Sequence, residues 1–249
     1  MRRRFFVDRF ERDSAILHGE AAEHLGRVLR AEPGQQYELS DGGCVWLARV
    51  ERIALSKRGE SRIEFSLVEP IPTVEPSLRV TLLVSVVKFD RFEWSLEKAT
   101  ELGVDEIIPV AAARSDKPLV AAAGKRRERW GRILLESAQQ SRRLRPPVLH
   151  ATVHADEAFA HSDAAKKILL SERRNVQALR DALSGSSHDQ ASAPSAALAI
   201  GPEGGWTDEE IASAYANGFL EASLGANILR TETAVIASLA ILQFVLGTG

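Results

Sequence analysis

The sequence predicts an α/β fold in which a small β-rich domain precedes a larger domain built on a parallel sheet. Up to about residue 70, short strand-like segments surround one helical segment, which is typical of a small barrel. From Arg79 onward, apolar strand-like segments alternate with helical ones, and this indicates parallel strands joined by right-handed crossovers. Prolines at positions 70, 72 and 76 interrupt both patterns, so we predict domains at residues 1–72 and 73–249.

The smaller domain is predicted from short strands and the turns between them. Strands are expected over 4–7, 37–40, 45–53 and 63–68, and a helix over 20–29. Asp41-Gly42-Gly43 and the residues around Arg58-Gly59 supply the turns between the later strands. Because a barrel of this size is filled by its own side chains, its function is expected to lie on its surface.

The larger domain is predicted from strands followed by helices. The expected strands are 79–87, 106–110, 167–170, 196–200 and 220–224, and the expected helices are 90–102, 125–141, 175–183, 208–217 and 233–246. The last helix is apolar on most sides, which predicts that it is buried and favours a subunit interface as its cover. The serine-rich segment 184–195 is predicted to be a flexible insertion.

Two glycine-bearing loops, 201–207 and 224–233, each follow an apolar strand and precede a helix. Such loops meet at the carboxyl edge of a parallel sheet, where ligands bind in open α/β folds. Three glycines and a proline within 201–205 add little to a core but leave backbone groups open to a ligand. A tight structural turn is the alternative. The polar run from Arg230 to Thr233 favours a binding site.

These two loops resemble the signature of a known family. GPEGGWTDEE at 201–210 and LGANILRTETA at 224–234 are similar to the RsmE family, SPOUT-class methyltransferases that use S-adenosylmethionine to methylate N3 of a uridine in small-subunit (16S) ribosomal RNA. The segments 88–91, 97–103 and 114–115 also resemble the family, as do His24 and residues 28–30. Arg142-Arg143 departs from the Gly-Arg pair that the family usually shows.

The resemblance implies a fold, a cofactor and an assembly. The fold would be a PUA-like barrel followed by a SPOUT domain with a C-terminal trefoil knot, and the protein would be a homodimer that acts on the small ribosomal subunit. Backbone groups of three loops would hold S-adenosylmethionine, at Leu170, Ser171, Gly201, Pro202, Gly205, Leu224, Gly225, Ile228, Leu229 and Thr233. Arg230 would stabilise negative charge on the uracil. Glu203 or Glu232 would accept the N3 proton or orient Arg230.

RNA binding is predicted from basic residues. The N-terminal arginines at 2, 3, 4 and 9 stand beside Phe5 and Phe6, a mixture that suits phosphate neutralisation and base stacking; plain strand residues are the alternative. The further candidates are His24, Arg30, Arg114 and Arg142. Ten basic residues also lie between Arg114 and Arg145. They indicate either a phosphate-binding strip or a solvated helix face.

Composition limits the remaining possibilities. The chain has 249 residues, a net charge of -2 and one cysteine, Cys44, so an internal disulfide and a multi-cysteine metal site are excluded, and a cytoplasmic protein is expected. No apolar run predicts a membrane span. His150 and His154 lack a third ligand nearby, so no metal is expected. A ribose 2′-O-methyltransferase and a non-catalytic RNA-binding module remain as alternatives. No G-x-G-x-x-G motif follows the 79–87 strand, which argues against an oxidoreductase.

Overall fold

The computed structural model describes residues 3–56, 60–74, 76–184 and 194–247. Arg2, the predicted turn at Arg58-Gly59 and most of the predicted insertion lie outside the described residues. The chain divides into two compact units, one of Met1–Glu75 with Ala138–Pro146 and one of Pro76–Ser137 with Pro147–Gly249. The first unit therefore takes in a segment from the middle of the chain, which the sequence did not indicate.

The first unit is a five-stranded sheet with one helical segment, the small β-rich unit that the sequence predicts. Its elements are β1 Arg4–Phe6, β2 Ser14–His18, α1 Gly19–Glu23, a π-helical turn His24–Val28, β3 Gln36–Ser40, β4 Val45–Ala54 and β5 Arg62–Ile71. The strand order is β1-β3-β4-β5-β2, with β1 parallel to β3 and the other pairs antiparallel. Buried side chains such as Phe5, Leu39 and Phe65 fill its core.

Three local predictions for this unit were wrong. The strand β2 was not predicted, although Ala15 and Leu17 alternate with more exposed neighbours. The helix expected over 20–29 is a short α-helix that widens into a π-helical turn. Strand β5 continues through Pro70, which pairs with Trp46. A register shift follows at Leu47/Ala48. Pro70, which has no N–H donor, is therefore accommodated next to an irregularity in the pairing of β4 with β5.

Within the first unit, two strands bind the segment Ala138–Pro146. The Arg4 guanidinium donates from Nη1 to the Arg142 carbonyl oxygen at 2.6 Å. The Ser40 hydroxyl donates to the Leu144 carbonyl oxygen, also at 2.6 Å. Arg142 has a φ of 55°, so the chain turns sharply there. Strand residues of the first unit thus satisfy carbonyl groups that follow a helix end.

The second unit is a seven-stranded parallel sheet, as the sequence predicts for an α/β fold. Its strands are β6 Arg79–Ser85, β7 Glu106–Ala111, β8 Val148–Leu149, β9 Val153–His154, β10 Lys166–Leu170, β11 Ser195–Ile200 and β12 Leu220–Ala222. The order is β12-β10-β11-β6-β7-β8, and β9 also pairs with β7. Its helices are α2 Phe89–Glu101, α3 Lys117–Gln140, α4 Ala155–His161, α5 Leu179–Leu183, α6 Asp208–Ala216 and α7 Thr231–Leu246.

Helices cover both faces of this sheet. One cluster joins α2, α3, α5 and α7 to strand residues such as Leu82, Val84 and Leu198. The other joins α4 and α6 to Leu83 and Leu169. Residues 82, 83 and 84 alternate between the two clusters, as the period of two in a strand requires. Two covered faces explain why the strands are apolar throughout.

Several helix boundaries differ from prediction. Helix α3 begins at Lys117, eight residues earlier than expected. Helix α5 begins only at Leu179, because Asn175 has a φ of 66° that no helix allows. Helix α6 agrees with prediction: Thr207 and Glu210 form the capping box, and Gly218 follows with a φ of 81°.

The final helix α7 is apolar, but the chain itself does not bury all of it. It packs against α2, α5 and β11, and Val235, Leu239 and Leu242 are fully buried. Phe244 is 87% exposed and Val245 is 40% exposed. The burial predicted for this helix is therefore incomplete within one chain. Among the described residues, none of the helices is long and apolar enough to cross a membrane.

Candidate active site

A cavity of about 290 Å³ lies in the second unit at the carboxyl ends of β10, β11 and β12. Its walls are mainly the loops that follow these three strands and the first turn of α7, and Arg114 after β7 and Ile211 of α6 complete them. Nine of the ten predicted cofactor-binding residues line it, namely Leu170, Ser171, Gly201, Pro202, Gly205, Leu224, Gly225, Ile228 and Leu229. Thr233 does not line the cavity, and Thr231 does. The two threonines are two positions apart on a helix, so they face different sides.

The indole of Trp206 links two walls of the cavity. It is buried and donates from Nε1 to the carbonyl oxygen of Leu170 at 3.1 Å. A Cβ atom at Gly201 would lie 3.1 Å from two atoms of this ring. Gly201 does not have a positive φ, whereas Gly205 has one of 67°. The glycine at 201 is therefore required by the close approach of the indole, and the glycine at 205 by backbone conformation.

Arg114 lines the cavity and binds the glycine loop from one side. Its Nη1 donates to the carbonyl oxygens of Gly204 at 2.9 Å and Trp206 at 3.1 Å. A Cβ atom at Gly204 would lie 3.2 Å from the Cβ of Arg114. The sequence had indicated an RNA contact at Arg114. Its guanidinium is instead bound to the loop, because the connection after β7 carries it over the ends of the neighbouring strands.

The first turn of α7 closes the other side of the cavity. The Thr231 hydroxyl donates to the Gly201 carbonyl oxygen at 3.2 Å, which ties the start of the helix to the glycine loop. Arg230 occupies the N-cap position with extended backbone, between the cavity residues Leu229 and Thr231. The Arg230 side chain is exposed. Within the described residues, its guanidinium makes no hydrogen bond or ion pair.

The two acidic candidates meet at an arginine that sequence reasoning did not single out. Arg91, in the first turn of α2, donates from Nη1 to Glu203 Oε1, and its Nε lies 3.8 Å from Glu232 Oε1. Neither carboxylate lines the cavity. The Glu203 side chain is 51% exposed and the Glu232 side chain is 12% exposed. The other oxygen of Glu232 is buried and has no partner among the described residues.

One arginine of the predicted RNA-binding arm is structural. The Arg4 side chain is only 10% exposed and donates from Nη2 and Nε to Glu38 Oε2, at 3.0 and 3.2 Å. The Arg4 guanidinium is therefore bound to Glu38 and to the Arg142 carbonyl oxygen, and an RNA contact through Arg4 stays a prediction. The residue lies on β1 inside the parallel pair with β3, and the facing acid could not be inferred from sequence spacing.

The other RNA candidates have varied surroundings in the first unit. Arg3 is exposed. The Arg9 side chain is 81% exposed, and its Nη2 atom lies 3.7 Å from Glu11 Oε1. Arg30 is exposed and has a φ of 52°. His24 is half-buried at the start of the π-helical turn. Arg142 lies 3.7 Å from Glu38 and so belongs to the same cluster as Arg4.

Three of the ten basic residues between Arg114 and Arg145 pair with acidic residues of the protein on or beside α3. Glu93 receives both hydrogen bonds of Arg129 Nε, at 2.8 and 2.9 Å, and lies 3.5 Å from Arg126. The Arg126 guanidinium also lies over the Phe89 ring at 4.6 Å. Arg132 pairs with Glu128 one turn away. These contacts favour the helix-face interpretation over the phosphate-binding strip.

His150, which the sequence places four residues before His154, lies next to an acidic residue and another histidine. His150 Nε2 lies 2.8 Å from Glu106 Oε2, and its ring packs edge-on against His161. In the part of the chain that the structure describes, no three metal-ligating side chains come together.

Comparison with known proteins places this geometry in a family. A model of the RNA methyltransferase domain matches residues 74–243. The ribosomal RNA small subunit methyltransferase E of a Synechocystis species is 35% identical over 219 residues, which cover 87% of this chain and 68% of that protein. The protein of the same name from Bacillus subtilis is 31% identical, with 91% and 88% covered.

Solved structures agree with the sequence comparisons. The methyltransferase E of Neisseria gonorrhoeae, determined with bound S-adenosyl methionine, is 31% identical and superimposes with a TM-score of 0.82 over 99% of both chains. A Legionella pneumophila protein solved in complex with the cofactor SAM is 30% identical, with a TM-score of 0.82 over 100% of both chains. The cavity, the domain match and these full-length similarities lead to one conclusion: the chain belongs to the RsmE family of RNA methyltransferases.

Proposed function

We propose that this protein is an S-adenosylmethionine-dependent methyltransferase that methylates N3 of a uridine in 16S ribosomal RNA. The cavity at the carboxyl ends of β10, β11 and β12 is the observation that carries the proposal. Relatives named ribosomal RNA small subunit methyltransferase E cover most of the chain, and a relative with bound S-adenosyl methionine has the same fold.

The residues of the cavity suit this cofactor. Apolar side chains such as Leu170, Leu224 and Leu229 offer a surface to a planar base, and the loop backbone offers donors and acceptors to its edge. Glu172 and Arg173 bring opposite charges to the cavity wall, which fits an amino-acid end with an ammonium and a carboxylate group. The bound cofactor supplies a methyl group on a positively charged sulfur. The protein aligns this group with the acceptor nitrogen and excludes water.

Arg230 is the proposed catalytic arginine. Arg230 does not line the cavity, but it lies in sequence between Leu229 and Thr231, which do. From there its exposed side chain would stabilise the negative charge that develops on the uracil oxygens as N3 loses its proton. Glu203 or Glu232 would accept that proton. Both carboxylates contact Arg91, so both are held beside the glycine loop.

The first unit is proposed to bind RNA as a PUA-like domain. Arg3 and Arg9 are exposed there, and exposed arginines can neutralise phosphate groups. Together with Arg2, Arg30 and His24 they form the proposed RNA contacts. The second unit is the proposed SPOUT domain, and the ribosomal substrate would place the protein in the cytoplasm.

A trefoil knot and a homodimer complete the proposal. The knot is proposed from the resemblance to the SPOUT class, and the helix that would follow it, α7, packs on α2 and α5. Exposed Phe244 and Val245 on α7 support a dimer, since a partner subunit would cover them. Light scattering at micromolar concentration should give twice the chain mass, and a monomer would contradict this part of the proposal.

Transfer of a labelled methyl group tests the activity. The protein is incubated with labelled S-adenosylmethionine and small ribosomal subunits that lack the modification, and the RNA is digested and analysed by mass spectrometry. We expect N3-methyluridine. A 2′-O-methyl nucleoside would instead support the alternative ribose methyltransferase, and RNA binding without transfer would support a non-catalytic binding module.

A further inference from the structure

We propose that Arg91 is a positioning residue that holds the glycine loop and the start of α7 together at the cofactor cavity. This inference rests on the proposed function. Arg91 belongs to α2, which follows β6, so it comes from a helix that contributes no residue to the cavity wall. It contacts one residue of the glycine loop, Glu203, and one of α7, Glu232.

The two contacts of Arg91 reach residues next to the cavity wall. Glu203 stands between Pro202 and Gly204, which both line the cavity. Glu232 follows Thr231, which lines the cavity and binds the Gly201 carbonyl oxygen at 3.2 Å. The glycine loop and α7 are thus joined directly through Thr231 and indirectly through Arg91. Removal of the guanidinium leaves the neutral hydrogen bond from Thr231.

The contacts of Arg91 need the geometry of an arginine. A guanidinium presents several N–H donors in a fixed plane, so one side chain can face two carboxylates at once, whereas a lysine ammonium acts as a compact point charge. Arg91 uses Nη1 for Glu203 and turns Nε toward Glu232. The Arg91 side chain is 24% exposed, so solvent screens these charges less than at an open surface.

The environment of Glu232 makes the positive charge necessary. Its side chain is 12% exposed, and its Oε2 atom is buried without a hydrogen-bond partner among the described residues. A carboxylate in such a place is disfavoured unless a cation stands near it. Arg91 supplies the cation and thereby allows an acidic side chain to remain beside the cavity, where it is a candidate proton acceptor.

Replacement of Arg91 tests the inference through three measurements, which are hydrogen exchange, the single-turnover rate and cofactor affinity. The variants are Arg91→Ala and Arg91→Lys, and the matched control is Arg180→Ala, which removes an 83% exposed arginine from an ion pair with Asp181 in the same unit. Hydrogen exchange should show faster exchange of the amides in 201–205 and 231–235 for Arg91→Ala. This readout does not depend on activity, so it separates failure of the inference from failure of the proposed function.

Single-turnover rates and cofactor affinity complete the test. Misplacement of reacting groups by about 1 Å can cost about 100-fold in rate, and we expect a loss of about that size in Arg91→Ala with a smaller loss of cofactor affinity. Arg91→Lys should recover part of the rate, and Arg180→Ala should behave as the wild type. In Arg91→Ala, the further change Glu203→Gln should cause no additional increase in the hydrogen exchange of the 201–205 amides.

Three results would overturn the proposal. One is unchanged exchange of both segments in Arg91→Ala. Another is a single-turnover rate in folded Arg91→Ala equal to that of Arg180→Ala. The third is an increase in 201–205 exchange caused by Glu203→Gln that is equally large with and without Arg91, since two residues that act through one contact cannot be additive.

Discussion

The cavity at the strand ends and the arginines proposed for RNA were predicted from the same sequence, but the fold brings together the residues of the first and gives those of the second different surroundings. The cavity is built from loop backbone at strand ends, and nine predicted residues lie on its wall. The arginines proposed for RNA divide into exposed ones, such as Arg9, and ones bound within the protein, such as Arg4 and Arg114. Backbone loops are specified by neighbouring residues in sequence, whereas a long side chain takes its partner from the tertiary fold.

The largest effect is expected from Gly201→Val. The added side chain would meet the Trp206 ring, 3.1 Å from the new Cβ, and displace the indole that binds the Leu170 carbonyl oxygen. We expect cofactor binding to fall below detection in equilibrium dialysis, with a loss of about 1–3 kcal/mol in the free energy of unfolding from overpacking.

The same substitution at another glycine provides the control. Gly131 lies on α3, where a Cβ would meet nothing within 4 Å, so Gly131→Val should bind the cofactor normally. Normal binding by Gly201→Val would show that the loop tolerates a side chain and that the cavity is not the cofactor site.

The next effect concerns stability in the arginine clusters. Arg4→Ala would leave the Glu38 carboxylate, 10% exposed, without its main partner. Loss of one member of a buried pair typically costs about 3–5 kcal/mol, and urea unfolding should show a decrease of that order. Arg9→Ala, at an 81% exposed side chain, should unfold as the wild type does. Equal stability of the two variants would show that the fold does not depend on the Arg4–Glu38 pair and would favour the RNA-binding role of Arg4.

Turnover should depend on Arg230. Arg230→Ala is expected to keep the fold and most of the cofactor affinity, because its guanidinium binds no other group among the described residues. The single-turnover rate should fall by an amount equivalent to about 2–4 kcal/mol, as for the removal of a donor to a developing oxyanion. Arg230→Lys keeps the charge without the planar donors, so its single-turnover rate should lie between those of the wild type and Arg230→Ala. Near-normal turnover of Arg230→Ala would leave this residue as a helix-capping position only.

The smallest effect is expected from the exposed arginines of the arm. Arg3→Ala and Arg9→Ala should each weaken RNA binding and reduce the slope of log affinity against log salt by about 0.7–0.9 for each phosphate group that is no longer neutralised. Cofactor affinity should not change, because neither residue lies in the cavity-bearing unit. Filter binding at several salt concentrations measures the slope. A decrease in cofactor affinity with an unchanged slope would contradict the division of roles between the two units.

The sequence was informative where local chemistry determines structure. The capping box of Thr207 and Glu210 depends on residues three apart, and it forms as expected. The alternation of buried strands and helices predicted the parallel sheet, since covered faces require apolar strands. The loops at 201–205 and 224–229 followed from the same pattern.

Other features depended on contacts that sequence spacing does not reveal. Arg91 reaches Glu203 across 112 positions of the chain, and Arg4 reaches Arg142 across 138. Separations of this size explain why the segment Ala138–Pro146 was not assigned to the first unit. Strand β2 was missed because five residues with two buried positions give too short an alternation to distinguish from a loop.

Calorimetric titration with S-adenosylmethionine is the most direct test of the claim that the cofactor binds in the glycine-loop cavity and independently of the exposed arginines. The wild type, Gly201→Val and Arg3→Ala/Arg9→Ala are titrated side by side under the same conditions. We expect saturable binding of one cofactor per chain in the wild type and in the double arginine variant, and none in Gly201→Val. Binding that survives in Gly201→Val, or that disappears in the arginine variant, would contradict the assignment of the cofactor to the glycine-loop cavity.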